Sequence, residues 1–103
     1  MNPPKSVSVA GKRVTVKVVP DLDSWGEYHH DDAVIKIAER TLKNPKILRD
    51  TLRHELMHAA LGISGVSFAE RMSEESVVRC FEEIFFPAYE RMLGKLQTIE
   101  HEK

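Results

Sequence analysis

Up to Ala38 the apolar residues of this chain recur at every second position, and beyond it they recur at helical spacing. That single change of period constrains the fold more than any other feature. Ser6-Val7-Ser8-Val9 and Arg13-Val14-Thr15-Val16-Lys17-Val18-Val19 alternate valine with other residues, as half-buried strands do, and Gly11-Lys12 between them reads as the turn of a hairpin. Pro20 ends the second strand, and residues 21–26 read as a loop or one helical turn. Residues 27–30, the acidic turn Asp31-Asp32 and residues 33–38 predict a second hairpin. In its last strand Val34 and Lys36 share one face while Ala33, Ile35 and Ile37 share the other. Strands followed by helices predict the α+β class, with a small antiparallel or mixed sheet of about four strands and helices after it.

Asn44-Pro45 is a helix start, with asparagine as the N-cap and proline at the first helical position, where a missing N–H costs nothing. The helix is expected to run to Leu61, with Gly62 as its C-cap. Ile47, Thr51, His54, His58 and Leu61 share one face of it, and Leu48, Leu52, Leu56 and Ala59 share a neighbouring one. So wide an apolar arc implies burial on two sides, with the histidines at the floor of a cleft against the sheet or a second helix.

Within that helix stands His54-Glu55-Leu56-Met57-His58, an H-E-x-x-H pattern. Residues four apart lie one above the other, so the two imidazoles can converge on one zinc ion, while Glu55 falls beside the ion as a general base for its water. A catalytic zinc needs a third protein ligand. The metzincin continuation is absent, because Leu61 and Ser64 occupy its glycine and histidine positions. A second long helix is expected downstream, with apolar residues Val77, Val78, Phe81, Ile84 and Phe85 on one face. Helical projection puts Glu74 near the centre of that face, and a carboxylate aimed at a core needs a partner such as a metal. Glu74 is therefore the expected third ligand; Glu75 takes its place if the helix is rotated, and Glu70 lies one turn earlier.

Composition removes other classes of function. A length of 103 residues predicts one domain over residues 1–103. Fifteen basic against sixteen acidic residues give a formal charge of −1 with no basic stripe, which argues against nucleic-acid binding. Neither a signal peptide nor a membrane span is legible, and the lone Cys80 cannot form an internal disulfide, so a cytoplasmic protein with a buried, reduced thiol is expected.

The run His54-Glu55-Leu56-Met57-His58-Ala59-Ala60-Leu61, then Glu74, then Glu83-Ile84-Phe85-Phe86-Pro87, resembles the small gluzincin-type peptidases of the ImmA/IrrE group, over residues 25–87. Aligned without gaps on Pro87, the first glutamate of that family's second helix falls on Glu74. The chain departs from the pattern at Val77-Val78, where the family has alanine and asparagine. The resemblance implies a minimal zincin-like metallopeptidase domain that hydrolyses polypeptides. An extended substrate would then lie along an edge strand near residues 33–37. Tyr28, His29, His30 and Arg71 are candidates for the group that polarises the carbonyl. The competing expectation is a zinc-stabilised binding or regulatory protein without turnover. Trp25 reads as a core anchor, His29 and His30 as exposed turn residues, and Tyr89, Met92, Leu93 and Leu96 as an apolar stripe packing on the domain or on a second copy; the oligomeric state is left open.

Overall fold

The computed structural model describes residues 2–65 and 74–101, with the backbone alone for Glu74, Glu75, Val78 and residues 97–101. Ala10 and Gly11, with φ of 51° and 79°, make the tight left-handed turn that joins β1 (Ser6–Val9) to β2 (Lys12–Val19). The turn thus falls one residue earlier than the sequence suggested. β3 (Gly26–His29) and β4 (Val34–Ala38) form the second hairpin, and the sheet order is β1-β2-β4-β3. β1 and β2 are antiparallel, β3 and β4 are antiparallel, and β2 and β4 run parallel with Val16 opposite Ile35. The fold is α+β, with a four-stranded mixed sheet.

The parallel pairing overturns one expectation. Residues 33–37 do not form an edge: β4 lies between β2 and β3, and Val34, Ile35, Ile37 and Ala38 are all buried. The free edges belong to β1 and β3. They are treated differently. The Lys5 carbonyl accepts from the Val16 N–H, so in the antiparallel ladder Ser6 and Ser8 turn their backbone groups away from β2. Arg91 donates to the Ser8 carbonyl and Lys95 to the Ser6 carbonyl, so cations from the C-terminal helix occupy that edge.

After a 3₁₀ helix at Glu39–Lys43, α1 (Pro45–Ile63) begins where the sequence indicated, with the Asn44 side chain accepting from the N–H groups of Lys46 and Ile47 at 3.1 and 3.2 Å. It ends later than expected. Gly62 lies inside the helix, Ser64 is the C-cap, and Gly65 supplies the positive φ of 82° beyond it. Leu48, Leu52 and Leu56 are fully buried against Val7, Val9, Val14, Val16, Ile35 and Ile37 of the sheet. Each such leucine contributes about 1.5–3 kcal/mol relative to exposure.

The second helical run is continuous from α2 (Glu74–Cys80) through a π turn at Phe81–Phe85 into α3 (Phe86–His101). Pro87 accounts for the π turn: its ring would clash with the carbonyl four residues back and it has no N–H to donate, so the ladder widens just before it. Cys80 is a buried free thiol. Ala88, Met92 and Leu96 are buried in the same core, so the apolar stripe of α3 packs on its own chain, against β1. Among the described residues no helix is long and apolar enough to cross a membrane.

Candidate metal centre and adjoining cleft

α1 lies along β3 because Gly26 lets it. A Cβ at Gly26 would stand 2.8 Å from Thr51 Cγ2 and 3.2 Å from both Glu55 Cγ and the Lys36 carbonyl oxygen. Further along, a Cβ at Gly62 would stand 2.7 Å from His30 Nδ1. Strand and helix therefore run side by side, Gly26 beside Thr51 and Glu55, and His30 beside Gly62, with Tyr28 passing the turn between. Gly62 is there for this close approach rather than to stop the helix.

The two histidines of α1 come together. His54 Nε2 and His58 Nε2 are 3.3 Å apart, with ring centroids separated by 4.9 Å. Two nitrogens that are each about 2.0–2.1 Å from one tetrahedral ion stand roughly 3.3–3.4 Å from one another, so this pair fits a shared zinc. Both rings are exposed, however, and not at a closed floor. The residue that α1 buries is Glu55, at 6 % exposure. The difference lies in rotational phase: the sheet receives the Leu48–Leu52–Leu56 side of the helix, which carries Glu55 inward and turns the histidines toward the opening.

Glu55 accepts no hydrogen bond from any described residue. Burial holds its carboxyl above the usual carboxylate range; His54 and His58 oppose the rise, and Glu27 adds to it. Among the described residues, no group of three or more His, Cys, Asp or Glu side chains gathers at one point. Of the expected third ligands, Glu70 lies outside the described residues, as do the side chains of Glu74 and Glu75. The backbone places Glu74 at the first residue of α2, which packs on α1.

β3 presents the free edge nearest this centre. The Trp25 carbonyl accepts from the Ala38 N–H at 2.8 Å, so Trp25, Glu27 and His29 address β4 while Gly26 and Tyr28 turn their backbone groups outward. Ser24 Oγ donates to the Gly26 carbonyl at 3.0 Å. The backbone N–H and C=O of Tyr28 remain on the edge. His29 and His30, expected to be exposed, are half-buried and face opposite ways. His29 Nε2 lies 2.9 Å from Glu27 Oε2 on the outer face of the sheet, and His30 Nδ1 lies 3.1 Å from the Tyr28 hydroxyl on the helix side. Arg71 lies outside the described residues.

A cleft of about 460 Å³ opens between residues 24–26 and the first half of α1, and His54 and Glu55 form one end of its wall. Ser24, Trp25, Gly26, Ile47, Asp50 and Thr51 line the rest. Sequence reasoning missed this cleft and assigned Trp25 to the core. The indole is instead 48 % exposed, with the Arg40 guanidinium 4.6 Å from its centre. The available signal was the placement of a tryptophan in a polar loop, directly before the glycine of an edge strand. In comparisons with protein-family models, curated proteins and solved structures, nothing matches this chain.

Proposed function

We propose that this chain is a zinc-dependent metallopeptidase of gluzincin type, with a zincin-like disposition of edge strand and H-E-x-x-H helix. The observation that carries the reading is the 3.3 Å separation of His54 Nε2 and His58 Nε2 on α1, with the buried carboxylate of Glu55 between them in sequence. His54 and His58 would hold the metal, with Glu74 as the third ligand. A bound zinc would supply Lewis acidity, lowering the pKa of a water and polarising a carbonyl.

The remaining work falls to the protein's own groups. A polypeptide in extended form pairs with the free N–H and C=O of Tyr28, adding a strand to β3. This moves the docking strand from residues 33–37 to β3, because β4 has no edge to offer. Glu55, held in a desolvated position, takes the proton from the attacking water and passes it to the departing amine. Of the carbonyl-polarising candidates, His29 is tied to Glu27 on the far face, which leaves Tyr28 and His30 on the helix side, together with Arg71, which lies outside the described residues.

The test compares wild type with Glu55→Gln on a library of unstructured peptides, with a chelator control. Loss of a positioned general base lowers the rate by about 10²- to 10⁴-fold, while zinc content stays the same. Two proteins that bind zinc equally and cleave nothing would instead identify a zinc-stabilised binding module.

A further inference from the structure

The loop before β3 holds its tryptophan in an unusual way. Arg40 lies over one face of the Trp25 ring and donates to three successive carbonyls of the same loop, those of Leu22 at 2.7 Å, Asp23 at 3.2 Å and Ser24 at 3.0 Å. One side chain thus fixes both the backbone that carries the indole and the plane of the indole itself. An exposed aromatic in a loop would ordinarily turn freely or fold onto apolar surface. This one is held open, 48 % exposed, at the mouth of the cleft that ends at His54 and Glu55.

The cleft's chemistry narrows its occupant. Trp25, Ile47 and the Thr51 methyl group give it apolar walls, and Gly26 leaves its floor without a side chain. Among the described lining residues the one charged group apart from the catalytic end, Asp50, is already paired, with its carboxylate 2.9 Å from Lys46 Nζ and 3.5 Å from Arg53 Nη2. The Lys46 hydrogen bond and charge, with Arg53 and Arg49 behind it, hold that carboxyl below its usual range. A basic guest would therefore find its counter-charge engaged. A volume of about 460 Å³ lies within the range of roughly 300–1,000 Å³ typical of small-ligand pockets and admits a whole aromatic side chain.

We infer that the Trp25 platform, clamped by Arg40, is a recognition subsite for an aromatic side chain of an extended polypeptide. The inference rests on the proposed function for why such a polypeptide arrives at β3, and it adds the substrate class. The guest ring stacks on the indole face that Arg40 leaves free, while its backbone follows the β3 edge. Preorganisation by Arg40 lowers the ordering cost of that contact.

Trp25 is the only tryptophan, so its own fluorescence reports occupancy. The probes are two blocked heptapeptides of alanine, glycine and serine that differ only in a central phenylalanine or alanine. They are titrated into the full chain with chelator present, so that no turnover intervenes. The phenylalanine peptide is expected to shift Trp25 emission and to bind at least tenfold more tightly than its partner. Arg40→Lys, which keeps the charge but cannot reach three carbonyls at once, should reduce that ratio to threefold or less. Trp25→Leu, followed by calorimetry, keeps the apolar bulk and should also lose the preference. Equal binding of the two peptides to wild type, or an undiminished ratio in Trp25→Leu, would overturn the subsite. The two readings fail separately. Aromatic binding without cleavage by the zinc-loaded protein leaves the subsite and removes the peptidase, whereas cleavage without aromatic preference within two residues of the cut does the reverse.

Discussion

Gly26→Ala adds one methyl group where strand and helix are closest. Its Cβ would meet Thr51 Cγ2 at 2.8 Å, and Glu55 Cγ and the Lys36 carbonyl oxygen at 3.2 Å. The Lys36 carbonyl belongs to the interior strand β4 and cannot retreat, so α1 or the Thr51 and Glu55 side chains must give way. Overpacking of this kind costs about 1–3 kcal/mol. For a domain of this size each kcal/mol moves the midpoint by roughly 4–8 °C, so thermal unfolding followed by circular dichroism should show a fall on the order of 10 °C. Thr51→Ser removes Cγ2, the nearest atom, and keeps the hydroxyl. The double variant should therefore be more stable than the sum of the two single changes predicts, by about 0.5 kcal/mol or more. Additive losses, or a Gly26→Ala protein as stable as wild type, would refute the claim that this glycine sets the spacing of β3 and α1.

Two further perturbations address the centre itself. Gly62→Ala places a Cβ 2.7 Å from His30 Nδ1, the atom that meets the Tyr28 hydroxyl, so the ring must shift. The roughly 1 kcal/mol gained in helix propensity offsets part of that cost, and the imidazole signals of His30 should move in NMR spectra, whereas an unmoved His30 would contradict the packing. Glu74→Gln should weaken zinc binding by tenfold or more and Glu75→Gln should not, as read by competition with a chromophoric chelator, and the reverse ranking would place Glu75 in the third position.

Much of the fold was legible because local chemistry wrote it. The alternating valines of β1 and β2, the acidic turn before β4 and the Asn44-Pro45 start of α1 each satisfy a requirement met within a few residues. Strand order was not, since alternation shows which side chains share a face but not which strand lies alongside. Even so, the nearly unbroken apolar run of β4, Val34-Ile35 and Ile37-Ala38, is the mark of an interior strand. Gly62 was misread because a glycine near a helix end has two uses, termination and close approach, and only His30 reveals the second. The site divides in the same way. Spacing alone brings His54 to His58, but which of His54, Glu55 and His58 is buried depends on how α1 rolls against the sheet, and that is set by Leu48, Leu52 and Leu56 together. Trp25 was misplaced because its holder, Arg40, lies beyond the intervening hairpin and gives no local sign.

The central claim is that His54 and His58 hold one metal ion for which Glu55 serves as base and not as ligand. Calorimetric titration of zinc into chelator-treated protein tests it most directly. Wild type and Glu55→Gln are predicted to bind one ion per chain with equal affinity, while His54→Ala and His58→Ala lose that binding. Stoichiometric zinc in His58→Ala at wild-type affinity, or no zinc bound by wild type, would contradict the account.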